Sequence, residues 1–89
     1  MITAAQMRAA RALLGIDQVK LAELSGVSLA TIQRMEASEG NVRGVVDSLT
    51  KVVQAFNQAG IDLIGDHERS DQGGRGVRLR TPSALGRLN

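Results

Sequence analysis

The chain has 89 residues, a formal charge of +2 and 43% apolar residues, but only one aromatic side chain and no cysteine. This length favours one compact domain with a small core, which self-association can extend. The lack of cysteine excludes disulfides, thiolate metal sites and cysteine nucleophiles. The small net charge is compatible with a nucleic-acid partner only if a few basic side chains are placed on one surface, because neither half of the chain is a basic tail.

Local signals predict three short helices in the first 37 residues. Each segment follows a residue whose side chain can accept from the free N–H groups of a first helical turn. Gly15 and Gly26 end the first two segments, as glycine commonly does in a left-handed cap. The segments are residues 4–14 after Thr3, residues 18–25 after Asp17, and residues 29 to about 37 after Ser28.

Helical spacing of apolar residues predicts a fourth helix from about residue 44 to residue 59, before Gly60. After Gly60 the period changes. Residues 61–64 and 77–80 are short and β-rich, and the second segment alternates apolar and charged residues, as a strand with one buried face does. We therefore predict a β-hairpin with a long polar connection, followed by a flexible tail over residues 81–89.

The second and third predicted helices are both short, and only a few residues around Gly26 separate them. A short turn of this kind lets the second helix of the pair project from the body of a domain. The small side chain of Ala22 would allow close packing of the two helices. The major groove of B-DNA accepts one α-helix and presents a distinct pattern of groups for each base pair, so this unit predicts DNA recognition.

The two short helices and their turn contain a motif made of Gln18, Leu21, Ala22, Ser25, Gly26, Val27, Ser28, Thr31, Ile32 and Glu36. Through this motif the chain resembles the Xre/Cro/phage-repressor family of helix-turn-helix transcriptional regulators, over about residues 3–60. The resemblance implies a mainly α fold with a four-helix Cro/repressor-like helix-turn-helix domain over residues 1–60. The β-rich segments that follow predict a C-terminal β-hairpin over residues 61–80. The resemblance also implies a structural pair between Arg11 and Glu36 that orients the third helix. The hairpin departs from the all-helical ending of the family, but is similar to that of a subset of short bacterial regulators.

In the docking mode of this family, the leading turn of the third helix meets base edges. Arg34 can pair bidentately with guanine, and its alternative is a solvated surface arginine. Gln33 can bond adenine or a phosphate, or be merely exposed. Leu29 either contacts thymine methyl groups or packs inward over the turn. The predicted base-contact residues are Leu29, Ala30, Gln33 and Arg34.

Phosphate oxygens are expected at the first turns of the second and third helices, where free N–H groups and the positive end of the helix dipole favour anions. Such contacts position a protein on DNA without reading its sequence. Ser28 can serve as a cap and as a phosphate ligand together, whereas a single lysine or arginine is more often only solvated. The predicted phosphate contacts are Gln18, Lys20, Ser28, Thr31 and Arg43.

No catalytic constellation is apparent, so we predict that the protein is not an enzyme and needs no cofactor. His67, the sole histidine, lacks the further ligands that a metal site requires. No apolar run approaches a membrane span, and the N-terminus lacks the layout of a signal peptide. We therefore expect a cytoplasmic protein with no membrane partner.

Together these features predict a sequence-specific regulator of transcription that binds double-stranded DNA, namely a repressor of a palindromic operator. We expect a homodimer, because one recognition helix reads too few base pairs to identify an operator. Pairing of two hairpins would stabilise both. In the rival arrangement, the hairpin packs on its own fourth helix and the dimer forms elsewhere. In an alternative function, a DNA-binding antitoxin, the C-terminal segment engages a protein partner. The predicted dimer residues are Ile61, Leu63, Ile64, Val77 and Leu79.

Overall fold

The computed structural model describes residues 2–40, 46–65 and 73–80, which contain four helices and one antiparallel pair of strands. This arrangement confirms the predicted fold class, a mainly α helix-turn-helix protein with a C-terminal β-hairpin. Arg43, His67 and the predicted tail over residues 81–89 lie outside the described residues. The elements are α1 (Ala4–Leu14), α2 (Gln18–Ser25), α3 (Leu29–Glu36), α4 (Val46–Gln58), β1 (Ile61–Ile64) and β2 (Gly76–Leu79).

The first three helices begin at the predicted caps. The side-chain oxygens of Thr3, Asp17 and Ser28 accept hydrogen bonds from the main-chain N–H groups three residues later, at 3.1, 2.8 and 3.2 Å. Each cap satisfies one of the donors that a first helical turn leaves unpaired. Gly26 ends α2 with a φ of +73°, a conformation that costs glycine little, and so permits the short turn to α3.

Small differences from the predicted boundaries occur at the ends of later elements. α3 ends at Glu36, with Ala37 as its C-cap. α4 ends at Gln58 rather than residue 59, and its predicted start near residue 44 lies outside the described residues. β2 begins at Gly76, one residue before the predicted strand, and ends at Leu79.

The helices and the hairpin share one apolar core. Phe56 is fully buried and is the only aromatic side chain of the protein. Around it, aliphatic and methionine side chains from the helices meet the first residue of β1. The largest side chains of this core are Phe56, Met7, Leu21, Ile32, Met35, Ile61 and Val52. The hairpin is thus part of the same packing unit as the helices that precede Gly60.

The hairpin presents one face to the helices and the other outward. Ile61 pairs with Leu79 across the two strands, and Leu63 pairs with Val77. All four side chains belong to the core or pack against it. Because side chains alternate along a strand, the outer face carries Asp62, Ile64 and Arg78. There Asp62 bonds Arg78 at 2.9 Å and also contacts Arg80.

Gln6 joins α1 to the hairpin, a role that the sequence did not suggest. Its side chain is buried, and its Nε2 donates to the main-chain oxygens of Ile64 and Gly76, both at 2.9 Å. These two residues are cross-strand partners at one end of the sheet. The Oε1 atom of Gln6 accepts from the N–H of Thr3 at 2.9 Å. One carboxamide therefore completes the cap of α1 and holds both strands against it.

This packing corrects one residue of the predicted dimer surface. Ile61 is fully buried in the core of a single chain, so its side chain is not accessible to a second chain. The contact of β1 with α4 agrees with the packing in the rival arrangement, and β2 contacts α1 in addition. Leu63, Ile64, Val77 and Leu79 each retain some exposed surface.

We expect Gln6→Leu to lower the free energy of unfolding by about 1–3 kcal/mol, because it removes the donor to two carbonyl groups at the end of the hairpin next to its connection. Urea and thermal unfolding followed by circular dichroism would measure the change. Gln54→Leu, at an exposed position of α4, is the matched control and should change the stability by less than about 0.5 kcal/mol. Equal stability of the two variants would contradict the role of Gln6.

Candidate nucleic-acid interface

One face of α3 is open to solvent, and it carries all four predicted base-contact residues. Leu29, Ala30, Gln33 and Arg34 are exposed, whereas Ile32, Met35 and Glu36 are buried on the opposite side. For Leu29 the exposed fraction of 37% bears on the two sequence-based alternatives, because a residue packed inward over the turn would be largely covered. The structure thus brings the four side chains together on an accessible surface.

The outward face of α3 includes a chain of polar contacts. Ser28 donates through Oγ to Thr31 Oγ1 at 2.9 Å, and Arg34 donates through Nη2 to the same oxygen at 3.2 Å. These residues lie three apart, so their side chains follow one another along the helix surface. The guanidinium of Arg34 is consequently directed toward the N-terminal end of α3.

The start of α2 lies beside this surface, but Lys20 and Gln18 there already contact acidic residues of the same chain. Lys20 is exposed and lies 3.7 Å from Glu23, a distance typical of a weak surface pair. Gln18 is partly buried, and its Nε2 donates to Glu36 Oε1 at 3.2 Å. A carboxamide nitrogen carries two hydrogens, so this bond uses one of the two that Gln18 can donate.

Glu36, the last residue of α3, is the point at which three elements meet. Its carboxylate is buried and accepts from Arg11 Nε and Nη2, both at 2.7 Å. The bond from Gln18 adds a donor from α2. The pair between Arg11 and Glu36 joins the residues and the elements that the family resemblance implies. It raises the pKa of Arg11, chiefly through this hydrogen bond, against the opposing effect of burial.

Arg8 also holds the end of α3, and sequence reasoning missed it. Its Nη1 donates to the main-chain oxygen of Glu36 at 2.7 Å. This carbonyl is one of those that a helix leaves unpaired at its C-terminus, where cations are favoured. The available signal was the spacing, because Arg8 precedes Arg11 by three residues and so lies on the same face of α1. We refer to Arg8, Arg11 and Gln18 around Glu36 as the Glu36 clamp.

No group of three or more histidine, cysteine or acidic side chains that could hold a metal occurs in the described part of the chain. Arg43, one of the predicted phosphate contacts, falls outside that part. Across residues 2–40, 46–65 and 73–80, no helix is both long and apolar enough to cross a membrane.

Breaking the Glu36 clamp should destabilise the fold. We expect Arg11→Met to cost about 3–5 kcal/mol, because it leaves a carboxylate with only 4% of its surface exposed without its charged partner. Thermal unfolding would measure the loss. Arg11→Lys keeps the charge but not the two-point geometry, and should fall between the wild type and Arg11→Met.

Lys51→Met is the matched control for this prediction. It breaks the pair between Lys51 and Asp47, which is 3.2 Å long but exposed on α4, and should cost less than about 0.5 kcal/mol. Similar losses for Arg11→Met and Lys51→Met would refute a structural role for the clamp.

Comparison with known proteins agrees with this geometry. Residues 7–44 match the family model described as helix-turn-helix. The match includes most of α1, all of α2 and α3, and all the residues of the Glu36 clamp. Searches of curated proteins and of solved structures gave no significant match. Residues 7–44 therefore form a DNA-binding helix-turn-helix of the Xre/Cro type.

Proposed function

We propose that the protein is a cytoplasmic, homodimeric repressor of transcription that reads a palindromic operator through the major groove. The observation that carries the proposal is the exposed face of α3, held by the Glu36 clamp and carrying Gln33 and Arg34. A groove about 12 Å wide accepts one helix, and a helix of fixed orientation can present its side chains to the same base edges each time.

In this proposal, Arg34 donates two hydrogen bonds to the O6 and N7 atoms of a guanine. Such a bidentate contact provides about 1–3 kcal/mol of discrimination against another base. Gln33 bonds an adenine edge or a phosphate. Leu29 and Ala30 contact thymine methyl groups, which would give these exposed apolar side chains a buried environment in the complex.

The first turns of α2 and α3 would bind the DNA backbone. Ser28 and Thr31 offer hydroxyl groups beside main-chain N–H groups, and Lys20 adds a positive charge. Gln18 would use its second amide hydrogen for a phosphate while the first remains bonded to Glu36. Its phosphate contact would then depend on the same acidic residue that orients α3.

A homodimer follows from the energetics of operator recognition, because two half-sites are needed to distinguish an operator among many competing sites. The accessible parts of Leu63, Ile64, Val77 and Leu79 are the proposed contact, without Ile61. Both strands already pack on the helices of their own chain. For this reason we favour a regulator over an antitoxin whose residues 61–89 would fold only on a protein partner.

Selection of bound duplexes from a random library, at a stated salt concentration, would test the function directly. We expect an enriched inverted repeat whose half-sites lie about one helical turn, or 34–36 Å, apart. Sedimentation equilibrium on the free protein should give a dimer. Enrichment of a single half-site would reject the dimer but not specific DNA binding. If no sequence is enriched, specific DNA binding itself is rejected.

Two variants that each remove one positive charge should behave differently. Arg34→Met should relax the preference at one base position. Lys20→Met should weaken binding to every sequence alike and reduce the slope of log K against log salt by about 0.9. Binding isotherms on the selected duplex, on a base-substituted duplex and on random DNA would measure both effects.

Arg78→Met is the charge-matched control for these two variants, because Arg78 lies on the outer face of the hairpin and is paired with Asp62. It should leave both the base preference and the salt slope unchanged. A loss confined to the selected sequence in Lys20→Met would be incompatible with a phosphate contact at this residue.

A further inference from the structure

We propose that Thr31 is a specificity-determining residue, which orients Arg34 toward a guanine edge before the protein meets DNA. This inference rests on the proposed function, because it concerns the contact assigned to Arg34. The observation behind it is the chain of hydrogen bonds from Ser28 through Thr31 to Arg34 on the exposed face of α3. Sequence reasoning had assigned Thr31 only to a phosphate.

The hydrogen-bonding capacity of Thr31 determines what its hydroxyl can still do. A hydroxyl oxygen has two lone pairs and carries one hydrogen. The Oγ1 atom of Thr31 accepts from Ser28 Oγ at 2.9 Å and from Arg34 Nη2 at 3.2 Å. Both lone pairs are then occupied. The hydroxyl of Thr31 can consequently act only as a donor to a further group, which in the complex would be an oxygen or nitrogen acceptor of DNA.

Ser28 holds Thr31 in turn. The Oγ atom of Ser28 accepts from the N–H of Thr31 at 3.2 Å and donates its own hydrogen to Thr31 Oγ1. The N-cap of α3 thus fixes both the backbone and the side chain of Thr31. This double contact gives Thr31 a defined orientation even though the surface around it is exposed to solvent.

The contact with Thr31 leaves Arg34 able to recognise a guanine. A guanidinium has five N–H groups in a rigid fork, and Thr31 uses one hydrogen of Nη2. The second hydrogen of Nη2 still forms a two-hydrogen edge with either Nη1 or Nε. An exposed arginine otherwise loses much rotamer freedom on binding, and holding it in advance reduces that cost.

The direction of the guanidinium also fits this role. Thr31 lies nearly one turn closer to the N-terminus of α3 than Arg34 does, so the contact draws Arg34 toward the leading end of the helix. In helix-turn-helix docking, the residues at this end meet the base edges. An Arg34 side chain extended away from Thr31 would instead point along the C-terminal half of α3.

A double-mutant cycle on the selected operator tests the proposal. The variants are Thr31→Val, which removes the hydroxyl but keeps the branched shape, Arg34→Met, and the two combined. Binding would be measured to the selected duplex and to a duplex with another base pair at the Arg34 position. We expect Thr31→Val to reduce the ratio of the two affinities about three- to tenfold, as expected for one hydrogen bond. In the Arg34→Met background the same change should leave the ratio unaltered.

Three further variants separate loss of the Thr31 hydroxyl from other effects of substitution. Thr31→Ser retains the hydroxyl and should preserve the affinity ratio within about twofold, while Thr31→Ala provides a second removal of the hydroxyl. Thr50→Val makes the same substitution at an exposed position of α4 and should have no effect. Circular dichroism would establish that each variant is folded before its binding is compared.

The possible outcomes of the cycle distinguish the role of Thr31 from the contact assigned to Arg34. If Thr31→Val lowers both affinities equally and does so in the Arg34→Met background too, Thr31 is only a phosphate contact and the inference is wrong. If Arg34→Met relaxes the preference but Thr31→Val does not, the inference fails and the proposed function stands. If Arg34→Met leaves the preference unchanged, the contact assigned to Arg34 fails and the inference fails with it.

Discussion

The Glu36 clamp is the interaction on which the presentation of α3 depends. A helix of eight residues is marginal by itself, because the initial cost of forming a helix is spread over few hydrogen bonds. Its orientation must come from its neighbours. Ile32 and Met35 supply apolar contacts on the buried side, but such contacts have little directional preference. The bidentate bond from Arg11 and the bond from Gln18 add direction at the C-terminal end.

The clamp also explains how a buried carboxylate is accommodated. Burial of an unpaired charge is costly, and Glu36 avoids that cost because Arg11 and Gln18 both donate to it. Arg8 likewise donates a hydrogen bond to the main-chain carbonyl of Glu36. Among the described residues that are not exposed, every buried side-chain nitrogen and oxygen has a hydrogen-bond partner. The polar groups that enter this small core therefore fix the arrangement of elements without leaving desolvated groups unpaired.

A second polar contact, from Gln6, extends this arrangement to the hairpin. Because α1 carries Gln6 toward the strands and Arg8 and Arg11 toward α3, one helix fixes both the hairpin and the exposed face of α3. In the proposed dimer through the hairpin, the two copies of α3 would thus lie at a set separation. This is the property that a fixed spacing of half-sites requires.

The sequence by itself determined the starts of the first three helices, the turn at Gly26 and the presence of a hairpin, because these features depend on local chemistry. Caps and glycine conformations depend on residues three or four positions apart, so they can be read directly from the chain. The outward residues of α3 were also predictable, because a helical period separates them from Ile32 and Met35. The Arg11 to Glu36 pair was foreseen only through the family resemblance.

Only the tertiary structure decided the roles of Gln6, Arg8 and Gln18 and the burial of Ile61. The spacing of Thr3 and Gln6 is that of a capping box, but nothing in the local sequence shows that Gln6 also meets carbonyl groups 58 and 70 residues away. Ile61 lies on the apolar face of its strand, but the strand pattern does not show whether the helices of the same chain or a second chain cover that face. Hydrogen bonds of this range depend on how the elements pack, and packing is a property of the assembled chain rather than of any segment of it.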